Sequence, residues 1–153
     1  MLKLSGKTVE TAFRLPVEFI QIRPELKKNG VIANHYSFMN DILAIVLEDH
    51  GWDNQIAEWS EYLSQGQKPP KTPKPQQPFP KIPIYDTYIN PKEFKLFRQF
   101  VDISLLYTIR QIRNIYQINI VKLVHDCMLY YLKTYRSDYI KYISNVNQQS
   151  NGL

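Results

Sequence analysis

Between Lys7 and Leu15 polar and apolar positions alternate, with Val9, Thr11, Phe13 and Leu15 on one side and Thr8, Glu10, Ala12 and Arg14 on the other. A period of two predicts a short strand with one face turned to a core. Pro16 ends the alternation, and Pro16-Val17-Glu18-Phe19 reads as a helix opening with proline in its first position. Pro24 pushes Arg23 out of the α region, so this first helix is short or kinked, and Asn29-Gly30 stops it. The period then changes. Phe38, Met39, Ile42, Leu43, Ile45 and Val46 recur at helical spacing across residues 36–50, with Asn34 or Ser37 as a cap and Gly51 as the end. Ile56, Ala57, Trp59 and Leu63 predict a further helix over 53–63.

Residues 64–83, SQGQKPPKTPKPQQPFPKIP, interrupt the pattern. Seven prolines remove backbone donors and fix φ, which excludes a helix or a central strand. The tract predicts a polyproline II linker that spans roughly 45 Å from Gln67 to Lys81, at about 3.1 Å per residue. Its P-x-x-P spacings at Pro70/Pro73, Pro75/Pro78 and Pro80/Pro83 also fit a ligand for a polyproline-binding domain. Beyond it, Ile82 to Ile89 is a candidate strand, and Asn90-Pro91 reads as a cap and helix start. Phe94, Phe97, Val101, Leu105, Ile109, Ile112 and Ile115, with a second line through Leu96, Phe100, Ile103 and Tyr107, predict one helix running to about Tyr116. Being apolar on two sides, it is expected between neighbours or in a dimer interface. Gln117 to Asn119 breaks it, Ile120 to Leu132 carries a last helix over 119–135, and the tail from Ser144 is expected to be loose. The fold expected is mainly α-helical: a short N-terminal strand plus helices, a proline-rich linker, then a C-terminal helical hairpin with a candidate strand before it. The units are 1–66, a linker at 67–81, and 82–153.

Charge sharpens this division. No lysine or arginine occurs between Lys28 and Lys68, while Asp41, Glu48, Asp49, Asp53, Glu58 and Glu61 fall there. Residues 1–66 hold 6 basic and 9 acidic side chains, and residues 67–153 hold 13 and 5. The overall net charge of +5 permits a polyanionic partner but does not require one. With 44% apolar and 13% aromatic residues the 153-residue chain is expected to fold. Units of this size have thin cores, which favours a homodimer or tight contact between the halves. The single cysteine, Cys127, excludes an intrachain disulfide. No apolar run reaches membrane-helix length and no signal-like core follows Met1, so a cytoplasmic location without membrane contact is expected.

The order of strand, short helix, turn and longer helix resembles the ribbon-helix-helix family of DNA-binding proteins. The resemblance rests on Thr11-Ala12-Phe13-Arg14-Leu15-Pro16, then Val17-Glu18-Phe19-Ile20, the turn at Asn29-Gly30 and the helix over 36–50, about a third of the chain. It implies two protomers that pair their strands into an antiparallel ribbon, which enters the DNA major groove. Glu10, Ala12 and Arg14, with Thr8, then take the base-facing positions, and Arg14 is the good reader because its planar fork matches guanine's acceptor pair. The start of the second helix would hold a phosphate. A looser match sets Tyr88-Ile89-Asn90-Pro91-Lys92-Glu93-Phe94 beside Phe13 to Phe19. If it marks a repeat, Tyr85, Thr87 and Ile89 face outward and the helix pair lies at 91–116 and 119–135; the alternative is an ordinary helical hairpin.

The second half also contains nine of the eleven tyrosines and most of the basic residues. That combination suits phosphate contact with base stacking, or equally a small core with a solvated basic surface. Arg110 and Arg113, on one polar face with Asn114 and Gln117, are the best phosphate candidates there. Lys68, Lys71 and Lys74 in the linker join them. Catalytic signals are poor: His35, His50 and His125 are scattered, no metal-ligand spacing or phosphate-cradling glycine loop occurs, and Cys127 lies on an apolar stripe that predicts a buried, inert thiol. No enzyme activity and no cofactor are expected. The function expected is a small DNA-binding regulator or mobile-element accessory protein acting as a dimer. The alternative is a protein-interaction module, an adaptor, antitoxin or inhibitor, whose Glu48, Asp49, Asp53, Glu58 and Glu61 dock on a basic partner. The acidic stretch falls on the helix that the resemblance sets beside DNA, which confines any nucleic-acid contact to the strand near Arg14 and to the chain beyond Lys68.

Overall fold

The computed structural model describes residues 2–30, 36–70 and 94–138, without the side chains of Glu18 and Phe94. The candidate strand at 82–89, the proline tract beyond Pro70 with Lys71 and Lys74, and the expected loose tail lie outside these residues. Strand β1, Thr8–Pro16, is followed by α1, Val17–Gln21, α2, Arg23–Lys28, α3, Phe38–Asp49, and α4, Asp53–Ser64. Strand β2, Phe94–Asp102, then leads directly into α5, Ile103–Tyr116, and α6, Ile120–Tyr135. The fold is mixed α/β, with the helices dominating around one two-stranded antiparallel sheet.

The local signals explain most boundaries of the first half. β1 buries Phe13 and Leu15, half-buries Thr11 and exposes Glu10, Ala12 and Arg14, as its period of two requires, but at its open end Val9, expected on the inward side, is exposed like Thr8. Pro16 carries no donor to extend the ladder, and the chain turns into α1 at Val17. Pro24 sits in the first turn of α2, where its missing N–H costs nothing, so the first helix is split in two. Gly30, with φ of +72°, closes the turn that follows.

The expected helix over 91–116 is corrected. Residues 94–102 form β2, and only residues from Ile103 onward are helical. The apolar spacing misleads because this strand carries apolar residues on both faces: Phe97 and Val101 lie on the core side with the buried Gln99, while Leu96 and Phe100 face solvent. Gln99 is accommodated because its Oε1 accepts the Met39 N–H at 3.2 Å and its Nε2 donates to the Arg98 carbonyl at 3.0 Å. Asp102 marks the boundary. Its side chain accepts from the Ser104 N–H at 2.9 Å and so caps α5. It also accepts from Ser5 Oγ at 2.6 Å and the Gly6 N–H at 2.9 Å, which ties the N-terminal arm to the end of the ribbon. Burial pulls the Asp102 pKa up, but the hydrogen bonds from Ser104, Ser5 and Gly6 outweigh it and hold the carboxyl below its ordinary value.

A strand and the helices after it thus occur twice, at an offset of 86 residues that relates Thr8 to Phe94, Val17 to Ile103 and Asp49 to Tyr135. The expected match of residues 88–94 to 13–19 used another offset, and the strand it placed before Pro91 is not the one paired with β1. In the β1–β2 register Ala12 stands opposite Arg98, its own counterpart at this offset, as an approximate two-fold axis through the ribbon requires. Helix α3 packs on β2 and α6 packs on β1, and the two helices pack on each other. Each half therefore completes the other. One hydrophobic cluster runs through both, from Phe13, Leu15, Phe19 and Phe38 to Val101, Leu105, Met128 and Leu132. The partly buried Phe97 is covered by Phe38, at 5.4 Å between ring centroids, and by the Arg23 guanidinium at 4.6 Å. Helix α4 is an addition to the first repeat that packs on α5, with the Trp59 and Tyr107 rings edge to face at 5.1 Å.

Candidate nucleic-acid interface

The ribbon presents one face to solvent. On β1 this face carries Thr8, Glu10, Ala12 and Arg14, and on β2 it carries Leu96, Arg98 and Phe100. The register sets Arg14 opposite Leu96, Ala12 opposite Arg98 and Glu10 opposite Phe100. Leu96 is 74% exposed and Phe100 46%, which is unusual for large apolar side chains and leaves them available to a partner. The Arg98 guanidinium reaches Glu10 at 3.2 Å. Both side chains are well exposed, so this pair contributes at most about 1 kcal/mol and yields to a stronger acceptor.

The two ends of the ribbon differ. At the Arg14 end a groove of about 180 Å³ runs between the ribbon and helices α5 and α6, and Arg14, Leu96, Arg110 and Val121 are among its lining residues. Arg110 is exposed on α5, and Asn119 caps α6 by accepting from the Val121 N–H at 2.8 Å. Inside the ribbon, His125 Nε2 lies 3.3 Å from the Arg14 carbonyl and, in the tautomer with the proton there, donates to it. The same ring meets Phe19 edge to face at 5.8 Å. Backbone position under Arg14 is thereby set from the core side. At the Phe100 end stands the start of α3, where the Phe100 N–H donates to the Tyr36 carbonyl at 2.7 Å. Tyr36 is 63% exposed and Asp41 lies in the first turn of this helix.

The other expected residues fall in three groups. Thr8 lies at the end of the ribbon, opposite Asp102. Arg113 is exposed further along α5 and is not a lining residue of the groove, and Lys68 is exposed beyond α4. Glu48 and Asp49 end α3, while Asp53, Glu58 and Glu61 lie on α4. The start of α3 touches the ribbon through Met39, so at about 1.5 Å per residue Asp49 is roughly 15 Å further along the helix axis. Glu48 and Asp49 are therefore removed from the ribbon face although their helix touches the ribbon at its other end. Asp49 is also engaged within the chain, accepting from Tyr130 at 3.1 Å and from Tyr135 at 2.5 Å.

Leu96 and Phe100 escaped the sequence reading because residues 94–102 look helical. Asp102, a helix cap standing inside the presumed helix, was the available signal. Cys127 is buried and its thiol is pushed up to about 12 by burial and by Asp126 beside it. Among the described residues no helix is long and apolar enough to cross a membrane, and no three His, Cys, Asp or Glu side chains gather as a metal site. No protein-family model, no curated protein and no solved structure matches the chain.

Proposed function

We propose that this chain is a DNA-binding regulator whose β1–β2 ribbon enters the major groove of a duplex. The observation that supports this reading is the solvent-facing side of the ribbon, where Arg14 and Arg98 stand among the small or apolar Ala12, Leu96 and Phe100. A two-stranded ribbon fits the roughly 12 Å width of the groove. Arginine pairs with the guanine O6 and N7 acceptors, and alanine, leucine or phenylalanine packs on thymine methyl groups. Arg110 stands at the flank of the ribbon, where phosphates run, and Arg113, Lys68, Lys71 and Lys74 supply further positive charge. Because β1 finds its partner strand within the same chain, a second copy is not needed to build the ribbon. A homodimer would instead join two complete ribbons.

The test is binding of the full chain to duplex DNA over a range of salt concentrations. Expected is affinity that falls by powers of ten between about 50 and 200 mM salt, as release of counterions from several phosphates demands. Replacing Arg14 and Arg98 together by Ala should abolish sequence preference while leaving the thermal midpoint nearly unchanged. Failure to shift any duplex at low salt sinks the reading.

A second reading has its own support. Glu48, Glu58 and Glu61 are exposed on α3 and α4, in a stretch without a basic residue. These carboxylates suit a basic protein partner. Its binding should survive Arg14→Ala and be lost on Glu58→Lys with Glu61→Lys.

A further inference from the structure

The two strands of the ribbon are equivalent by position but not by chemistry. At the offset of 86 residues Arg14 corresponds to Phe100, Ala12 to Arg98 and Glu10 to Leu96. The flanks differ in the same sense. Arg110 on α5 corresponds to Pro24, and Lys122 in the first turn of α6 corresponds to Tyr36 before α3, whose first turn carries Asp41. One end of the ribbon therefore carries Arg14 and Arg110, and the other Phe100, Tyr36, Glu10 and Asp41, with Lys7 just beyond its last pair.

We infer that a single chain reads an asymmetric, non-palindromic duplex site, with a guanine contacted at the Arg14 end and thymine methyls packed against Phe100 at the other. This rests on the DNA-binding reading and specifies its target. A ribbon made by two identical strands presents the same side chains to both half-sites, so its target carries the matching two-fold symmetry. Here the second strand is a different sequence in the same chain. Recognition of both halves by one pattern is excluded by the side chains themselves: the Arg14 guanidinium offers a fork of donors, whereas the Phe100 ring offers none. The centre is asymmetric as well, since only one strand brings an arginine, Arg98, opposite Ala12. Backbone contact follows the same polarity. The end flanked by Arg110 favours close approach of phosphates more than the other, where Glu10 and Asp41 offset Lys7.

The experiment is selection of preferred sites from a randomised duplex pool with the full-length chain, followed by the mass of the purified complex on a selected site. Expected are a consensus without two-fold symmetry and one chain per duplex. Arg14→Ala should lose about tenfold in preference at one base pair on one side only, and Phe100→Ala should relax a thymine on the opposite side by a similar factor. Both side chains are exposed, so unchanged melting of each variant shows that the loss is one of contact. A palindromic consensus occupied by two chains overturns the inference while leaving the DNA-binding reading intact. Absence of any enriched duplex overturns both.

Discussion

Tyr135 donates a 2.5 Å hydrogen bond to Asp49 Oδ2, and these two residues, the last of α6 and of α3, are each other's counterparts at the offset of 86. Like Ala12 and Arg98 in the ribbon, they meet where an approximate two-fold axis runs. The hydrogen bond to the Asp49 carboxylate, with a contribution from burial, raises the Tyr135 pKa to about 12. Several tyrosines are raised by burial, and Tyr130 shares the Asp49 carboxylate, so ultraviolet titration should show late-ionising tyrosines of which Asp49→Ala moves Tyr130 and Tyr135 back towards about 10. Because the site is half exposed, the cost in stability should stay below about 1 kcal/mol.

His125 makes stability fall on mild acidification. Burial lowers its pKa to about 4, against the opposing effect of its hydrogen bond to the Arg14 carbonyl and with help from the nearby Lys122 charge. The folded chain thus holds His125 neutral where the unfolded chain would protonate it. The contribution is fully present above about pH 6.5 and is lost as pH falls from there towards 4, by at most about 3 kcal/mol. Met39 occupies the corresponding position in the first repeat. His125→Met should flatten this acid limb in denaturant melts recorded from pH 7 to 4, and an unchanged slope would show that the histidine is not its source.

Gln99 is a buried polar side chain on the core side of β2, where Phe13 stands in β1. Removing its oxygen in Gln99→Ala leaves the Met39 N–H without this acceptor at the start of α3, and should cost about 1–3 kcal/mol by chemical denaturation. The larger part should appear as faster exchange of the Met39 amide. Equal loss of protection along the whole of α3 would argue against a local tether.

Glu10 restrains Arg98 on the face assigned to DNA. Glu10→Gln removes a negative charge from that face and releases the guanidinium from its 3.2 Å ion pair. Duplex affinity should rise several-fold at low salt with little change in melting temperature, and the gain should fade as salt screens the charge. A fall in affinity would mean that Glu10 itself accepts a hydrogen bond from the duplex, as a cytosine amino group would offer.

Separating the halves tests how far they depend on each other. Because α3 packs on β2 and α6 on β1, fragments 1–66 and 82–153 each lack the strand that their own second helix covers. Each should be largely unfolded alone by circular dichroism and gain helix on mixing. Independent folding of either fragment would contradict the shared core.

Much of the first half was legible because its signals are local. The alternation before Pro16, the break at Pro24, the stop at Gly30 and the two amphipathic helices that follow need only neighbours in sequence to act. The inward and outward sides of β1, including the exposure of Thr8 and Arg14, followed from its period of two. α6 was legible for the same reason. Residues 94–102 were not, because spacings of three and four among their aromatic and aliphatic residues match a helix, and a strand with Phe97, Gln99 and Val101 inside and Leu96 and Phe100 outside has no amphipathic signature of its own. The candidate interface was visible only in part: Arg14 and Arg110 were named, but Leu96 and Phe100 became visible as partners of Arg14 and Glu10 only when β2 was a strand.

Local sequence alone determined where the helices of the first half start and stop, which side of β1 is buried, and that the charge is divided along the chain. Tertiary structure decided that β1 pairs with β2 from the same chain, since the partners in the antiparallel register lie 94 positions apart at Thr8 and Asp102 and 78 apart at Pro16 and Phe94, beyond the reach of any local pattern. It also decided that Glu48 and Asp49 lie far from the ribbon. Their distance follows from which end of α3 docks on β2, and that is set by the buried Gln99 and Met39 contact rather than by any pattern along α3 itself.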